Sequence, residues 1–199
     1  GTPVTATGLS TIKADISGNP TPTQLKDILK LTSGVVKSTP AAAALSAYID
    51  TDGNSLIETG NELTLDVNNT TEMAAADIKT LYAATTGKVT LSGGGNKGIK
   101  GSIADLKDIF AASNLTTPEI DGVDNAKLNV DEGVYSATAG VTSGGTILAS
   151  DLKALDGETS GEITISDYVI EVTGTYADIE AVVKADGTGI KANELIGRA

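Results

Sequence analysis

Apolar positions fall at helical spacing in one short phrase that occurs three times: Leu25-Lys26-Asp27-Ile28, Ile78-Lys79-Thr80-Leu81 and Leu152-Lys153-Ala154-Leu155. Each copy is followed, at the same distance, by two hydroxyl residues and a glycine: Thr32-Ser33-Gly34, Thr85-Thr86-Gly87 and Thr159-Ser160-Gly161. A narrow stripe at i, i+3 and often i+4 predicts an amphipathic helix lying on a flat neighbour. In the first copy Thr21 is placed to cap, Pro22 suits the first helical position and Gln24 completes a capping box. The terminal glycines are expected to adopt the left-handed conformation that closes a helix. Strand-like runs come next at Val35-Val36, Lys88 to Leu91 and Glu162 to Ile165, the last two alternating polar and apolar.

A second helical phrase lies between these copies. It reads Leu106, Ile109, Phe110 and Ile179, Val182, Val183, with a poorer version at Leu45, Tyr48, Ile49. The two good copies open with Ser102 or Thr175 three residues before an aspartate, the pattern of an N-cap with an acidic first turn. Further strands are predicted at Glu62 to Val67 and Ala126 to Val130, and at the front at Val4 to Thr7 and Thr11 to Ile16. Residues 131 to 145, rich in Gly, Ser and Thr, read as an insertion with an extra strand near Val134 to Thr138.

Helix alternating with strand predicts parallel strands joined by crossovers. Repetition predicts that units lean on one another, since none can bury its apolar face alone. The expected fold is an α/β solenoid-like stack with a mainly parallel sheet layer and a helix layer. The runner-up is a compact α+β domain of duplicated units. The stack is read as one repeat-built domain over 1–199: N-terminal strands 1–20, repeat one 21–70, repeat two 71–145 with its insertion, and repeat three 146–199.

Composition narrows the chemistry. Among 199 residues there is no Cys, no His and no Trp. Thiol nucleophiles, the usual zinc sites and Ser-His-Asp triads are thereby excluded. Aromatic residues are 3%, so the core is built from Leu, Ile, Val and Ala, and an aromatic-lined sugar pocket lacks its materials. A net charge of −12 without a basic run repels phosphate backbones, which argues against a nucleic-acid partner. No apolar stretch approaches the roughly 20 residues that span a bilayer, so membrane insertion is not expected. No enzymatic activity is expected either. The chain opens at Gly1-Thr2-Pro3 and reads as a piece of something longer.

Calcium is the one candidate cofactor. Asp50-Thr51-Asp52-Gly53-Asn54 offers acids at alternate positions before a glycine, with Asp50, Asp52 and Asn54 as ligands. Aligned as an EF-hand loop, however, it puts Tyr48 and Thr59 where carboxylates belong, and a solvated turn after a helix is the simpler account. Asp121 and Asp124, in Asp121-Gly122-Val123-Asp124-Asn125, have the right atoms without a diagnostic spacing. Ser92 to Gly98 lacks the Gly-Lys-Ser/Thr ending of a phosphate loop and reads as a turn between strands. Tyr48, Tyr82 and Phe110 read as core.

The runs Gly60-Asn61-Glu62-Leu63-Thr64-Leu65, Ala74 to Leu81, Ala84-Thr85-Thr86-Gly87 and Val172 to Ile179 together resemble the repeat of very large cell-surface and secreted proteins of marine cyanobacteria. That group includes a swimming-associated surface protein and proteins described as haemolysin-like. The resemblance covers about residues 55 to 185, departing from the pattern at Ala41 to Leu45 and in the insertion. It implies a structural or interaction segment of an exported, extracellular or cell-surface bacterial protein. The implied export route needs no N-terminal signal peptide. Its partners would be neighbouring repeats of the same parent chain, other surface proteins or copies of itself. No catalytic residue carries over. The alternative is an adhesin-like, calcium-dependent binding module using residues 131 to 145.

Overall fold

A computed structural model describes residues 11–93, 98–115, 119–132, 134–136, 140–143, 145–166, 169–185 and 189–192. The expected strand at Val4 to Thr7 lies outside them. The chain begins with β1 (Ala14–Ile16), α1 (Pro22–Leu29), β2 (Val36–Ser38) and a short 3-10 helix (Leu45–Ala47). Then come β3 (Glu62–Leu63), β4 (Leu65–Val67), β5 (Met73–Ala74), α2 (Ala75–Ala83), β6 (Val89–Leu91), β7 (Gly98–Gly101) and α3 (Ile103–Ser113). After β8 (Ile120–Asp121) and β9 (Lys127–Val130), a pair β10 (Val134–Ser136) and β11 (Gly140–Ser143) precedes β12 (Gly145–Leu148). The last elements are α4 (Ala149–Glu158), β13 (Ile163–Ile165), β14 (Val169–Thr173), α5 (Tyr176–Ala185) and β15 (Ile190–Ala192).

α1, α3 and α5 start where their caps predict, whereas α2 and α4 begin after Ala74 and Leu148 without a side-chain cap. Thr21 and Gln24 form the capping box, with Pro22 at the first helical position. Ser102 accepts from the Asp105 N–H at 3.1 Å, and Thr175 from the Asp178 N–H at 3.2 Å. The weak phrase at Leu45 makes only the 3-10 helix, without a side-chain cap, although Leu45, Tyr48 and Ile49 are all buried.

The glycine expectation needs correction. Positive φ angles occur at Gly18, Gly53, Gly60 and Gly122, not at Gly34, Gly87 or Gly161. Those three are glycine for another reason: a Cβ would collide with the backbone carbonyl of Ile12, Leu63 or Ala126 respectively. The chain leaving each helix passes that close to the strand it is about to join, and only a residue without a side chain fits.

Every pair of described strands except β10–β11 is parallel. The sheets run β1-β2-β3, β4-β6-β8, β12-β14 and β5-β7-β9-β13-β15. Their registers join residues one crossover apart: Ala14 lies beside Val36, Leu65 beside Val89, Met73 beside Ile99 and Ile163 beside Ile190. The architecture is mixed α/β with mainly parallel sheets, and among the described residues it has five helices and no closed barrel. α2 packs on α3, α3 on α4 and α4 on α5, so the four form a row. Helix stripes (Ile78 and Leu81; Leu106 and Ile109; Leu152 and Leu155) and inward strand residues (Leu63, Val89, Ile99, Leu128, Ile163) belong to one buried aliphatic cluster. Tyr48 and Phe110 are buried in it and Tyr82 packs at its margin, the expected core role. Burial and the nearby Asp66 charge push the Tyr48 hydroxyl up to about 12.

Candidate interaction surface

Two devices recur between neighbouring elements. The first is a threonine staple after the helices. Thr85 Oγ1 donates to the carbonyl of Leu63 (2.8 Å) or Asn61 (3.1 Å) and accepts from the Gly87 N–H at 3.0 Å. Thr159 Oγ1 does the same with Ala126 (3.0 Å), Asp124 (3.3 Å) and the Gly161 N–H (2.9 Å). Thr32 repeats it in part, donating to the Ile12 carbonyl at 2.7 Å and accepting from Gly34 at 2.9 Å. Thr86 and Ser160 each add a hydroxyl and a backbone N–H bond, to the carbonyls of Asn61 and Asp124 respectively. The hydroxyl-hydroxyl-glycine phrase thus satisfies carbonyls in or just before an earlier strand, at the point where the next strand begins.

The second device is an ion-pair ladder along the helix row, in which the fifth residue of α2, α3 and α4 meets the third residue of the next helix. Lys79 of α2 meets Asp105 of α3 at 2.6 Å and Asp108 at 2.7 Å. Lys107 of α3 meets Asp151 of α4 at 2.7 Å, and Lys153 of α4 meets Asp178 of α5 at 3.3 Å. The hydrogen bond from Lys79 holds the Asp105 carboxyl below the usual range, helped by Ser102. The Thr175 hydroxyl does so first for Asp178, and Lys153 second. The signal for this ladder was present in the sequence as Asp-(Ile/Leu)-Lys at Asp77, Asp105 and Asp151. A single helix phrase, however, does not reveal which neighbour its lysine reaches. α5 departs: Glu180 stands at the lysine position and pairs with Lys184 of its own helix at 2.9 Å.

The calcium candidates do not gather. Asp50 spends its carboxylate inside its own loop, accepting from the N–H groups of Asp52 (2.9 Å) and Asn54 (2.8 Å). These donors hold its pKa down, the Asn54 N–H most of all. The neighbouring acid is Asp77, raised by burial first and by the Asp50 charge second. Asp121 is bound at 2.9 Å by Lys88, which also holds Glu119. Asp124 contributes its backbone carbonyl to the Thr159 staple, and the side chains of Asp52 and Asn54 lie at the exposed loop. Among the described residues no group of three or more acidic, His or Cys side chains is placed to hold a metal ion. Among the described residues two buried side-chain oxygens lack a partner, Ser38 Oγ and Asn129 Oδ1, but they sit in different sheets and share no site.

Residues 131 to 145 contain a hairpin where one extra strand was expected. β10 and β11 pair antiparallel, with a register shift beside Val134. The base is fixed: Asp131 pairs with Lys100 at 2.8 Å, and Glu132 accepts the Ile103 N–H at 2.6 Å, serving as a second cap for α3. Gly145 passes so close to Glu132 that a Cβ would collide with it, which brings the ends of the excursion together. No helix among the described residues is long and apolar enough to cross a membrane. Comparison with protein-family models, curated proteins and solved structures finds no match to this chain.

Proposed function

We propose that the chain is a structural segment of a large extracellular or cell-surface bacterial protein. It would work as a solenoid-like stack of strand–helix units that spaces and presents surface without catalysis. The observation that carries this reading is the staple. Thr85 and Thr159 each donate to a carbonyl in or just before an earlier strand and accept from the glycine N–H two residues on, as repeated units in equivalent places would. The ladder along α2 to α5 supports it as well, because each helix meets the next through the same two positions. The cell-surface setting rests on the resemblance of the repeated phrases. Neighbouring units of the parent chain are its first partners, with no nucleic acid and no membrane insertion.

Excision of one whole turn tests the stack. Met73 lies beside Ile99 in register, so deleting residues 74–99 joins Met73 to Lys100 and removes one helix and one crossover. A stack closes over the gap, and the variant should melt cooperatively with helical signal reduced by one helix. An unfolded product would defeat the reading.

The hairpin supports a second reading, an adhesin-like module. β10 and β11 pair with each other and with no other described strand, so they form an appendage on the parallel sheets. Deleting residues 134–143 should leave the melting temperature nearly unchanged. Loss of surface attachment in that variant would favour the adhesin, and a melting temperature raised by millimolar calcium but not magnesium would make it calcium-dependent.

A further inference from the structure

Asparagine followed two residues later by Ser or Thr is the acceptor pattern for N-linked sugar. The chain holds that spacing four times: Asn19-Pro20-Thr21, Asn68-Asn69-Thr70, Asn69-Thr70-Thr71 and Asn114-Leu115-Thr116. Three residues in a row recur by chance in a chain rich in Thr, so the spacing alone selects none of them. Selection comes from the fold. A usable acceptor needs an amide nitrogen and a hydroxyl that are not already bonded, on backbone that an enzyme can take into its cleft.

Three of the four do not meet those needs. Between Asn19 and Thr21 stands a proline, which fixes φ and removes an N–H, and the pattern requires any residue but that one. The Thr21 hydroxyl is also spent in the capping box, accepting from the Gln24 N–H and donating to the Gln24 side chain at 3.1 Å. Asn69 is half-buried, and its Oδ1 accepts the Leu45 N–H at 2.6 Å, so drawing it out would strip the 3-10 helix of that bond. Asn114 ends α3, where its Nδ2 donates to the Phe110 carbonyl at 3.1 Å and its backbone N–H donates to the same oxygen at 3.3 Å. Its hydroxyl partner Thr116 lies outside the described residues.

Asn68 differs on each count. It directly follows β4, in which Leu65 and Val67 are buried and Asp66 between them is not, and the same alternation turns Asn68 outward, where it is exposed. Among the described residues nothing bonds its side-chain amide, while its backbone N–H is anchored to the Ala43 carbonyl at 3.0 Å. Thr70 is exposed, and residues 68–72 have no helix or strand of their own. They form the corner at which the chain leaves the sheet β4-β6-β8 for the sheet that begins at β5. Neither Asn68 nor Thr70 takes part in a staple or in the ladder, so an added sugar leaves both devices intact.

We propose that Asn68 is an acceptor for N-linked sugar. In the transfer Asn68 Nδ2 bonds to the anomeric carbon of a sugar 1-diphosphate. The bond from that carbon to the diphosphate oxygen breaks, the diphosphate leaves with the electron pair, and Nδ2 gives up one proton to a base of the transferase. The donor is a sugar diphosphate carried on a nucleotide or on a polyprenyl lipid. The proposal rests on the extracellular reading above, because the acceptor pattern belongs to surface loops of exported chains.

The test uses the folded full chain in two arms, one with a soluble N-glycosyltransferase and UDP-glucose, the other with a detergent-solubilised oligosaccharyltransferase and a polyprenyl-diphosphate oligosaccharide. Peptide mass spectrometry should place the added mass on Asn68 in at least one arm, and the arm that labels it identifies the carrier. Asn68→Gln and Thr70→Ala should each abolish the label while the melting temperature stays unchanged, since both side chains are exposed. No label on Asn68 in either arm overturns the proposal, as does labelling of Asn69 or Asn114 in the folded chain to the same extent. Labelling that survives Thr70→Ala overturns it too. These readouts do not depend on where the parent protein resides. Their failure strikes the acceptor alone, whereas a parent protein confined to the cytoplasm strikes the extracellular reading alone.

Discussion

α4 and α5 carry nearly the same instructions and end in different surroundings. Both open with a residue pair before Asp, both place an aliphatic residue next, and both receive a lysine from the helix before or pass one on. Yet Leu152 is fully buried while Ile179 and Val183 face solvent in the described structure. Amphipathic pattern determines which face of a helix is apolar. Whether that face is covered depends on the next elements in the row. α4 is succeeded by β13, β14 and α5, whereas among the described residues α5 has only β15 after it.

The contrast can be broken by truncating equivalent positions. Leu152→Ala should cost about 2–5 kcal/mol by chemical denaturation, since it removes a fully buried side chain and leaves a cavity. Ile179→Ala should cost less than about 1 kcal/mol, because much of that side chain already contacts water. Equal costs would show that α5 is as well covered as α4.

A smaller loss is expected at the staple. Thr159→Val keeps the shape but leaves the Ala126 carbonyl and the Gly161 N–H without their partner, at about 1–3 kcal/mol. Thr32→Val, at a partly exposed site where water can replace the hydroxyl, should cost well under that. A cost at Thr159 no greater than at Thr32 would remove the staple from the account of stability.

The ladder should matter least. Lys79→Met should cost about 0.2–1 kcal/mol, since the pair is partly exposed and screened by salt. Its sharper readout is pH. Asp105 and Asp178 have folded pKa values below their unfolded ones, so the unfolded chain binds their protons first on acidification. Their contribution is complete above the unfolded carboxylate range near about pH 4 and is lost as pH falls through the depressed folded values. Asp77 runs the other way: its raised folded pKa means that protonation during acidification favours the folded chain. Melting temperature followed from neutral pH down to about pH 3 should decline less in Lys79→Met than in the parent, because the Asp105 share has gone. Parallel curves would show that the pair carries no linkage.

Much of the fold was legible because it is local. The Thr21–Gln24 capping box, the stripes of α2 and α4, and the alternating strands at Val89 and Ile163 arise from side chains a few residues apart. Parallel pairing was likewise implied by helices alternating with strands. The readings that changed depended on distant partners. Gly87 looked like a helix stop in a left-handed turn, but what constrains it is the Leu63 carbonyl 24 residues earlier. Asp121 looked like a free ligand until Lys88 was placed beside it. The insertion looked irregular and holds a hairpin, because strand pairing within a Gly- and Thr-rich segment leaves little periodic signal.

The sequence by itself determined which residues form helices and strands, which faces are apolar, and which chemistries are excluded, since those depend on composition and short-range periodicity. Only the tertiary structure decided which lysine meets which aspartate, why three glycines cannot be replaced, and which helix face is left uncovered. Each of these is set by contact between segments joined through a whole crossover. Neither spacing nor composition records the distance of closest approach between such segments.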